Sequence, residues 1–140
     1  MAAEDDGSGG ISVELRTQED LVRLRQLVRE QAVAQRFSLV EQTKLITAAS
    51  ELGRNTFLHG GGGSAWLGTL TDAAGRRGIR LHFVDHGPGI ADLALAMTDG
   101  YSSGGGLGLG LSGSRRLADE FEIDTAPGQG TRVTITSWKR

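Results

Sequence analysis

The chain has 140 residues, of which 22 are glycine and none is cysteine, and its formal net charge is −2. This length suits one domain with a core made of a sheet and several helices. The lack of cysteine excludes disulfides and thiolate chemistry and is compatible with a reducing cytoplasm, where we expect the protein. No basic tract is long enough to indicate nucleic acid, and no apolar stretch approaches the ~18 residues of a membrane helix. We therefore expect neither a nucleic-acid nor a membrane partner.

The first part of the chain predicts one strand and two helices after a short lead. Residues 1–10 are acidic and lack an apolar core, so we expect a disordered lead that is neither signal peptide nor anchor. Residues 11–15 alternate between apolar and polar, which predicts a strand. Residues 18 to about 35 have the spacing of an amphipathic helix, with Thr17 as its N-cap. A second helix is expected over residues 39–58, where a run of four glycines then ends it.

The second part predicts two hairpins and two further helices. The hairpin strands are residues 65–71 with 79–84 and residues 121–125 with 131–137. A short helix is expected over 93–97, and another over 109–119 opens directly out of a polar loop at 98–106. The pattern is α+β, a two-layer sandwich of one mixed, mostly antiparallel sheet with helices on one face. We see no internal repeat or second domain, so residues 11–140 are expected to form a single domain.

Glu51 and Asn55 are four residues apart in the second predicted helix and therefore share one of its faces. In a functional site Glu51 would take the proton from an attacking hydroxyl or water. Asn55 would hold Mg²⁺, which prefers oxygen ligands and usually arrives with phosphates. Taken by itself, the pair is better explained by a solvated helix face, and only the glycine motifs downstream reverse that preference in favour of a site. His59 lies one turn further, either near phosphates or as an ordinary helix-end histidine.

Asp85 ends an apolar strand and opens the motif Asp85-His-Gly-Pro-Gly89. Its carboxylate should emerge at the strand terminus and accept a hydrogen bond from the exocyclic amine of adenine. Guanine carries a carbonyl acceptor at that position, so the contact favours adenine. Gly87 and Gly89 leave room for a flat ring. Thr131 begins the last strand and would add a hydroxyl near the base, although a lone threonine is often only a strand residue.

A glycine-rich loop leads directly into the helix predicted over residues 109–119. Free amides and the positive end of the helix dipole make such a loop an anion cradle. The residues assigned to it are Gly104, Gly105, Gly106, Leu107, Gly108, Leu109 and Gly110. The G-x-G-x-x-G pattern at residues 108–113 is not a dinucleotide motif, because no strand precedes it. A Walker motif is absent, and no histidine follows the serine of the apparent nucleophile elbow at 100–104, which argues against an α/β-hydrolase.

These motifs resemble those of a known superfamily. Glu51 with Asn55, the motif at 85–89 and the glycine run look like the N, G1 and G2 boxes of the GHKL (Bergerat-fold) ATPases. Segments 99–102, 106–113 and 116–123 are similar to the switch-protein serine kinases of the RsbT type. The resemblance covers nearly the whole chain, from about residue 11 to residue 140, and implies the Bergerat fold.

The resemblance implies a kinase that uses ATP and Mg²⁺ to phosphorylate a serine on a STAS-domain antagonist protein. The kinase would then bind and activate a PP2C-type phosphatase. By position, Glu51 would be the base, Asn55 the Mg²⁺ ligand and Asp85 the adenine anchor. The glycines would shape the site, and Thr131 would lie beside the adenine ring. The lid, at about 98–105, contains no lysine or arginine, so the cation that stabilises the transition state is open among Arg54, Arg115 and Arg116.

Three other classes of protein compete with the switch kinase. An anti-sigma factor has the same three boxes, would sequester a sigma factor and would phosphorylate an anti-anti-sigma protein. Segment 112–121 favours the switch kinase over that alternative. A self-contained histidine kinase is disfavoured because no histidine precedes His59. A scaffold that only binds ATP is disfavoured by Glu51, since nucleotide binding alone does not require a base.

Overall fold

The structure is a computed structural model that describes residues 10–98 and 110–140. Its elements are β1 (Ile11–Leu15), α1 (Gln18–Ala34), α2 (Leu39–Leu58), β2 (Gly63–Thr71), β3 (Arg77–Asp85), α3 (Leu93–Ala96), α4 (Gly110–Leu117), β4 (Glu120–Thr125) and β5 (Thr131–Trp138). Every strand and helix expected from the sequence occurs here, with ends that differ by two residues at most. The loop expected at 98–106 lies outside the described residues apart from Thr98.

The five strands form one sheet in the order β1-β2-β3-β5-β4. Every pairing among them is antiparallel, in line with the mostly antiparallel sheet that the sequence predicted. Strand β3 is central, and its last residue, Asp85, lies opposite Gly63 on β2 and Thr131 on β5. The end of β3 therefore meets residues from two neighbouring strands.

The core lies between one face of the sheet and the two long helices. Alternate residues of the central strands point to this face because successive side chains in a strand point in opposite directions. The core members that are at most 2 % exposed include Leu67, Ile79, Leu81, Phe83 and Ile135 from the sheet and Leu24, Val28, Leu45 and Leu52 from the helices. The two long helices consequently share one face, which confirms the predicted two-layer arrangement.

Helices α1 and α2 both begin at capping boxes. The hydroxyl of Thr17 accepts a hydrogen bond from the backbone N–H of Asp20, and Ser38 does the same for Glu41. In each case the acidic side chain bonds back to the N–H of the cap, so two otherwise unpaired donors are satisfied. The N-cap predicted at Thr17 is thus confirmed.

Helix α2 extends to the end of the sheet at which β3 ends. At Gly53 the helix packs tightly on α1, since a Cβ there would lie 3.0 Å from Leu21 and 3.1 Å from Leu24. Its C-cap, His59, is followed by Gly60, whose N–H bonds the carbonyl of Asn55 at 3.0 Å. No helix among the described residues is long and apolar enough to cross a membrane.

Candidate functional site

A cavity of about 700 Å³ opens at the end of the sheet where β3 ends and β5 begins. Its walls come from the last turns of α2, residues 88–92, α3, the start of α4 and the start of β5. The polar side chains that line it are Glu51, Arg54, Asn55, Thr56, His59, Asp85, Asp92 and Thr131. Four residues that the sequence singled out for separate reasons, Glu51, Asn55, Asp85 and Thr131, thus line one cavity.

Glu51 and Asn55 lie one turn apart on the wall that α2 contributes. Both side chains are half-buried and both line the cavity. Within residues 10–98 and 110–140, neither makes a hydrogen bond or an ion pair with another side chain. A carboxylate and an amide oxygen are therefore available to a ligand on the same wall.

Asp85 is the last residue of β3 and is only 6 % exposed. Its Oδ1 accepts a hydrogen bond from the backbone N–H of Gly87 at 2.9 Å. Its Oδ2 accepts none from the described residues. A carboxylate oxygen is a hydrogen-bond acceptor, so this arrangement suits a ligand that brings its own N–H group.

Glycines surround Asp85 where no side chain would fit. A Cβ on Gly60 would come within 2.3 Å of the Asp85 Cγ, and a Cβ on Gly130 within 2.2 Å of the Asp85 carbonyl oxygen. Of the two motif glycines, Gly89 lines the cavity and Gly87 does not. Gly89 has a φ of 75° and lies against the backbone of Ala126, whereas Gly87 lies against the backbone of Gly60. Close backbone contacts therefore account for both motif glycines.

Thr131 is part of a small hydroxyl network beside Asp85. Its Oγ1 lies 2.9 Å from Oγ1 of Thr125, which donates to the carbonyl of Gly130 at 3.0 Å and accepts from the N–H of Ile90 at 2.9 Å. A hydroxyl has one proton, so Thr131 must be the donor to Thr125. The hydroxyl of Thr131 therefore offers a ligand only its lone pairs.

The remaining walls of the cavity are apolar, and no sequence motif marks their residues as part of a site. They include Phe83, Ile90, Leu95, Ala96, Leu111 and Val133. As isolated positions these residues are ordinary core or surface hydrophobics, and only their distance from Asp85 in the fold makes them part of a site. A flat aromatic ring would bury its faces against such walls.

The other predicted site residues have mixed outcomes. Gly104, Gly105, Gly106, Leu107, Gly108 and Leu109 lie outside the described residues. Gly110 begins α4 with a φ of 68° and lines the cavity. Arg54 and His59 also line it, whereas Arg115 and Arg116, in the last turn of α4, do not. Arg54 is therefore the one of the three candidate arginines that borders the cavity.

Comparison with known proteins gives the class of this site. Residues 40–140 match the family described as histidine kinase-, DNA gyrase B-, and HSP90-like ATPase. The chain is 41% identical to the serine/threonine-protein kinase RsbT of Bacillus subtilis (strain 168) over 128 residues, which cover 91% of this chain and 96% of the relative. It is 27% identical to an anti-sigma F factor of Thermoanaerobacter sp. (strain X514), over 72% of this chain and 73% of that protein.

A solved structure supports the same fold. The RsbU and RsbW domains of Rv1364c from Mycobacterium tuberculosis superimpose with a TM-score of 0.63 at 19% identity. The match covers 94% of this chain and 33% of that chain. The chain therefore belongs to the histidine kinase-, DNA gyrase B- and HSP90-like ATPases, whose fold the sequence predicted. Within that family it is a serine/threonine-protein kinase of the RsbT type, and it uses ATP.

Proposed function

We propose that this kinase uses ATP with Mg²⁺ to phosphorylate a serine on a STAS-domain antagonist protein. We further propose that it works by partner switching and, once released, activates a PP2C-type phosphatase, with residues 11–140 acting as one kinase domain. The observation that carries the proposal is the cavity, where Glu51 and Asn55 share a wall and the buried Asp85 has an unused acceptor oxygen. The identity with the RsbT kinase supports serine as the acceptor.

In this proposal Asp85 selects adenine as the nucleobase. Its Oδ1 is held by the N–H of Gly87, so its Oδ2 is the oxygen that accepts a hydrogen bond from the amine of adenine. Guanine would turn a carbonyl oxygen toward this carboxylate, and two acceptors repel each other. The apolar walls, which include Phe83 and Ile90, would cover the ring faces.

The phosphates would extend from the base toward α2 and the start of α4. Asn55 supplies a neutral oxygen of the type that Mg²⁺ prefers, and its side chain has no partner among the described residues. Asn55 would hold Mg²⁺ on this wall, where the ion would offset the charge that develops on the phosphates during transfer. The glycine run from Gly104 to Gly110 would supply the rest of the phosphate site, and the structure describes Gly110 of this run.

For transfer itself, the hydroxyl oxygen of the substrate serine attacks the γ-phosphorus. The bond from that phosphorus to the β–γ bridging oxygen breaks, and ADP leaves. Glu51 takes the proton of the serine hydroxyl, a role that suits its position on the wall next to Asn55. Arg54 borders the same cavity and is the candidate cation for the transferring phosphoryl group.

An anti-sigma factor with kinase activity is the second candidate. The 27% identity with an anti-sigma F factor supports it, whereas the higher identity and coverage of the RsbT match favour the switch kinase. A mixture of this chain with a sigma factor and a STAS-domain protein separates the two. A complex with the STAS protein that dissociates on adding ATP and Mg²⁺, but not ADP, supports the switch kinase. A stable complex with the sigma factor supports the alternative.

A further inference from the structure

A second concave surface lies at the opposite end of the sheet from the nucleotide cavity. This basic cleft has a volume of about 490 Å³ and is lined by Gln35, Arg36, Gly75, Arg76, Arg77, Lys139 and Arg140. Strand β3 begins at Arg77 and ends at Asp85, and eight steps of roughly 3.3 Å separate the two ends by about 26 Å. An occupant of the basic cleft would therefore leave the nucleotide cavity open.

Five of the seven residues that line the basic cleft are cations, although the whole chain has a formal net charge of −2. They come from three separate places: the turn between α1 and α2, the hairpin between β2 and β3, and the end of β5. Folding thus creates a concentration of charge that no continuous stretch of sequence contains. A surface of this kind attracts anions or acidic partners.

Internal carboxylates neutralise only part of this charge. Arg76 pairs with Asp72 at 3.1 Å and lies over the ring of Trp138, with its Cζ 4.8 Å from the ring centroid. Arg140 pairs with Asp119. The other three cations, Arg36, Arg77 and Lys139, form no ion pair with any residue that the structure describes. Arg36 and Arg77 are therefore available to a partner. Nζ of Lys139 also donates to the carbonyl oxygen of Arg140 at 3.3 Å, and its charge helps to lower the pKa of Glu41, so it is only partly available.

Arg36 has a backbone conformation that favours glycine. It follows the end of α1 with a φ of 65°, the only positive φ at a non-glycine residue in the described part of the chain. The N–H of Phe37 bonds the carbonyl of Ala32 at 2.9 Å, and the N–H of Arg36 bonds that of Val33 at 3.0 Å. This is a Schellman motif, in which the position of Arg36 is usually glycine. The strain of an arginine here indicates that its side chain serves a purpose other than folding.

Two exposed aliphatic side chains lie in the turn of α2 that contacts Arg140, a residue of the basic cleft. Leu39 and Val40, in the first turn of α2, are 71% and 64% exposed. The backbone N–H of Arg140 donates to Oε2 of Glu41 at 2.7 Å, so the end of the chain contacts that same turn. Aliphatic groups beside arginines match a peptide with both acidic and apolar side chains. They have little to match in a nucleic-acid backbone or a free phosphate.

We propose that the basic cleft, together with Leu39 and Val40, is a docking site for an acidic, leucine-bearing segment of a protein partner. Arg36, Arg77 and Lys139 contact its carboxylates, and the two aliphatic residues contact its leucines. Because the nucleotide cavity lies at the other end of the sheet, binding at the basic cleft does not require ATP.

The first test is to locate a model peptide on the ¹⁵N-labelled protein. The probe is a soluble Glu-Glu-Leu repeat, added at low salt without nucleotide, with a Gln-Gln-Leu repeat as control. We expect amide shifts at residues 35–41, 75–77 and 139–140 with the acidic peptide only. Shifts concentrated on another surface, or equal shifts with the neutral peptide, would overturn the proposal.

The second test measures peptide affinity by fluorescence anisotropy in matched variants. The triple variant Arg36→Gly, Arg77→Gln, Lys139→Gln should bind the acidic peptide about tenfold more weakly or worse. Arg16→Gln removes one exposed charge at the other end of the sheet and should change affinity less than about twofold. Unchanged affinity in the triple variant would contradict the proposal, as would tighter binding of oligothymidine than of the peptide at this cleft.

Arg36→Gly by itself separates a docking role from a role in folding. Because glycine relieves the strain at a φ of 65°, its thermal midpoint should equal or exceed that of the wild type while affinity for the acidic peptide falls. A lower midpoint would show that the arginine supports the fold and would contradict a separate role for its side chain.

Discussion

Gly60 lies directly against the carboxyl group of Asp85, so closely that a Cβ on Gly60 would come within 2.3 Å of the Asp85 Cγ. Gly60 follows the C-cap of α2, and Asp85 ends β3. The contact therefore joins the helix that contributes Glu51 and Asn55 to the strand that contributes the proposed base anchor. Any side chain at residue 60 must displace the Asp85 carboxyl or the end of α2.

The first prediction follows from this contact. In Gly60→Ala, the new methyl group should move the Asp85 carboxyl and lower ATP affinity by about tenfold or more, as measured by calorimetry. The matched control is Gly61→Asn, because residue 61 has open space around it, a φ of 74°, and asparagine tolerates that conformation. Unchanged ATP affinity in Gly60→Ala would contradict the proposal that the Asp85 carboxyl binds adenine.

Asp85→Asn should weaken ATP binding and reduce the preference for adenine over guanine. One of its two acceptor oxygens becomes an amide donor, and the loss of a charge-assisted hydrogen bond costs about 2 kcal/mol, or roughly 30-fold in affinity. The new amide would donate to the carbonyl of guanine, so competition between ATP and GTP should show reduced preference for ATP. An unchanged ATP-to-GTP ratio would count against the proposed contact.

Asn55→Ala should lose the part of ATP affinity that depends on Mg²⁺. The reason is that the side-chain oxygen lies on the cavity wall without a protein partner and is the proposed ligand of the ion. Titrations with ATP in Mg²⁺ and in chelator measure this part directly. If the variant and the wild type gain equally from Mg²⁺, Asn55 is not a ligand.

Glu41 gives a prediction about stability and pH. Burial raises the pKa of Glu41, but backbone hydrogen bonds from Ser38 and Arg140 outweigh it and hold the pKa below its usual 4.5. A carboxyl with a lowered folded pKa stabilises the fold above its unfolded pKa, and this stability is lost as the pH falls through the folded pKa. The thermal midpoint should therefore fall below about pH 4.5 less steeply in Glu41→Gln than in wild type.

The control for that experiment is Glu30→Gln. Glu30 is an exposed residue of α1 and makes no hydrogen bond or ion pair with the described residues. The thermal midpoint of Glu30→Gln should fall with pH as steeply as that of the wild type. Equal slopes in all three proteins would show that the hydrogen bonds of Glu41 contribute nothing measurable.

Features that depend on nearby residues were predictable from the sequence. The capping box at Thr17 and the periodicity of α2 are local, and the position of Asp85 at the end of β3 follows from the apolar run before it. The order of the strands, with β5 between β3 and β4, has no such local signal. Nothing in the chain between Gly60 and Asp85 indicates that the two residues touch.

The same distinction applies to the two surfaces. Glu51 and Asn55 share a helix, so their spacing predicted a common face. The apolar wall formed by residues such as Ile90 and Leu111 depends on tertiary packing, which no spacing rule encodes. The basic cleft brings together residues 36, 77 and 139, which are far apart in the sequence. Composition by itself, with a net charge of −2, pointed away from a basic surface.

The central claim is that Glu51 is the base of a kinase that acts on a STAS-domain protein. Intact-mass spectrometry of a cognate STAS-domain protein, incubated with this chain, ATP and Mg²⁺, tests it most directly. We expect one added phosphate with the wild type and none with Glu51→Ala, which should still bind ATP in calorimetry. Equal phosphorylation by Glu51→Ala would remove the base from the mechanism, and no added mass with the wild type despite a stable complex would contradict the proposed function.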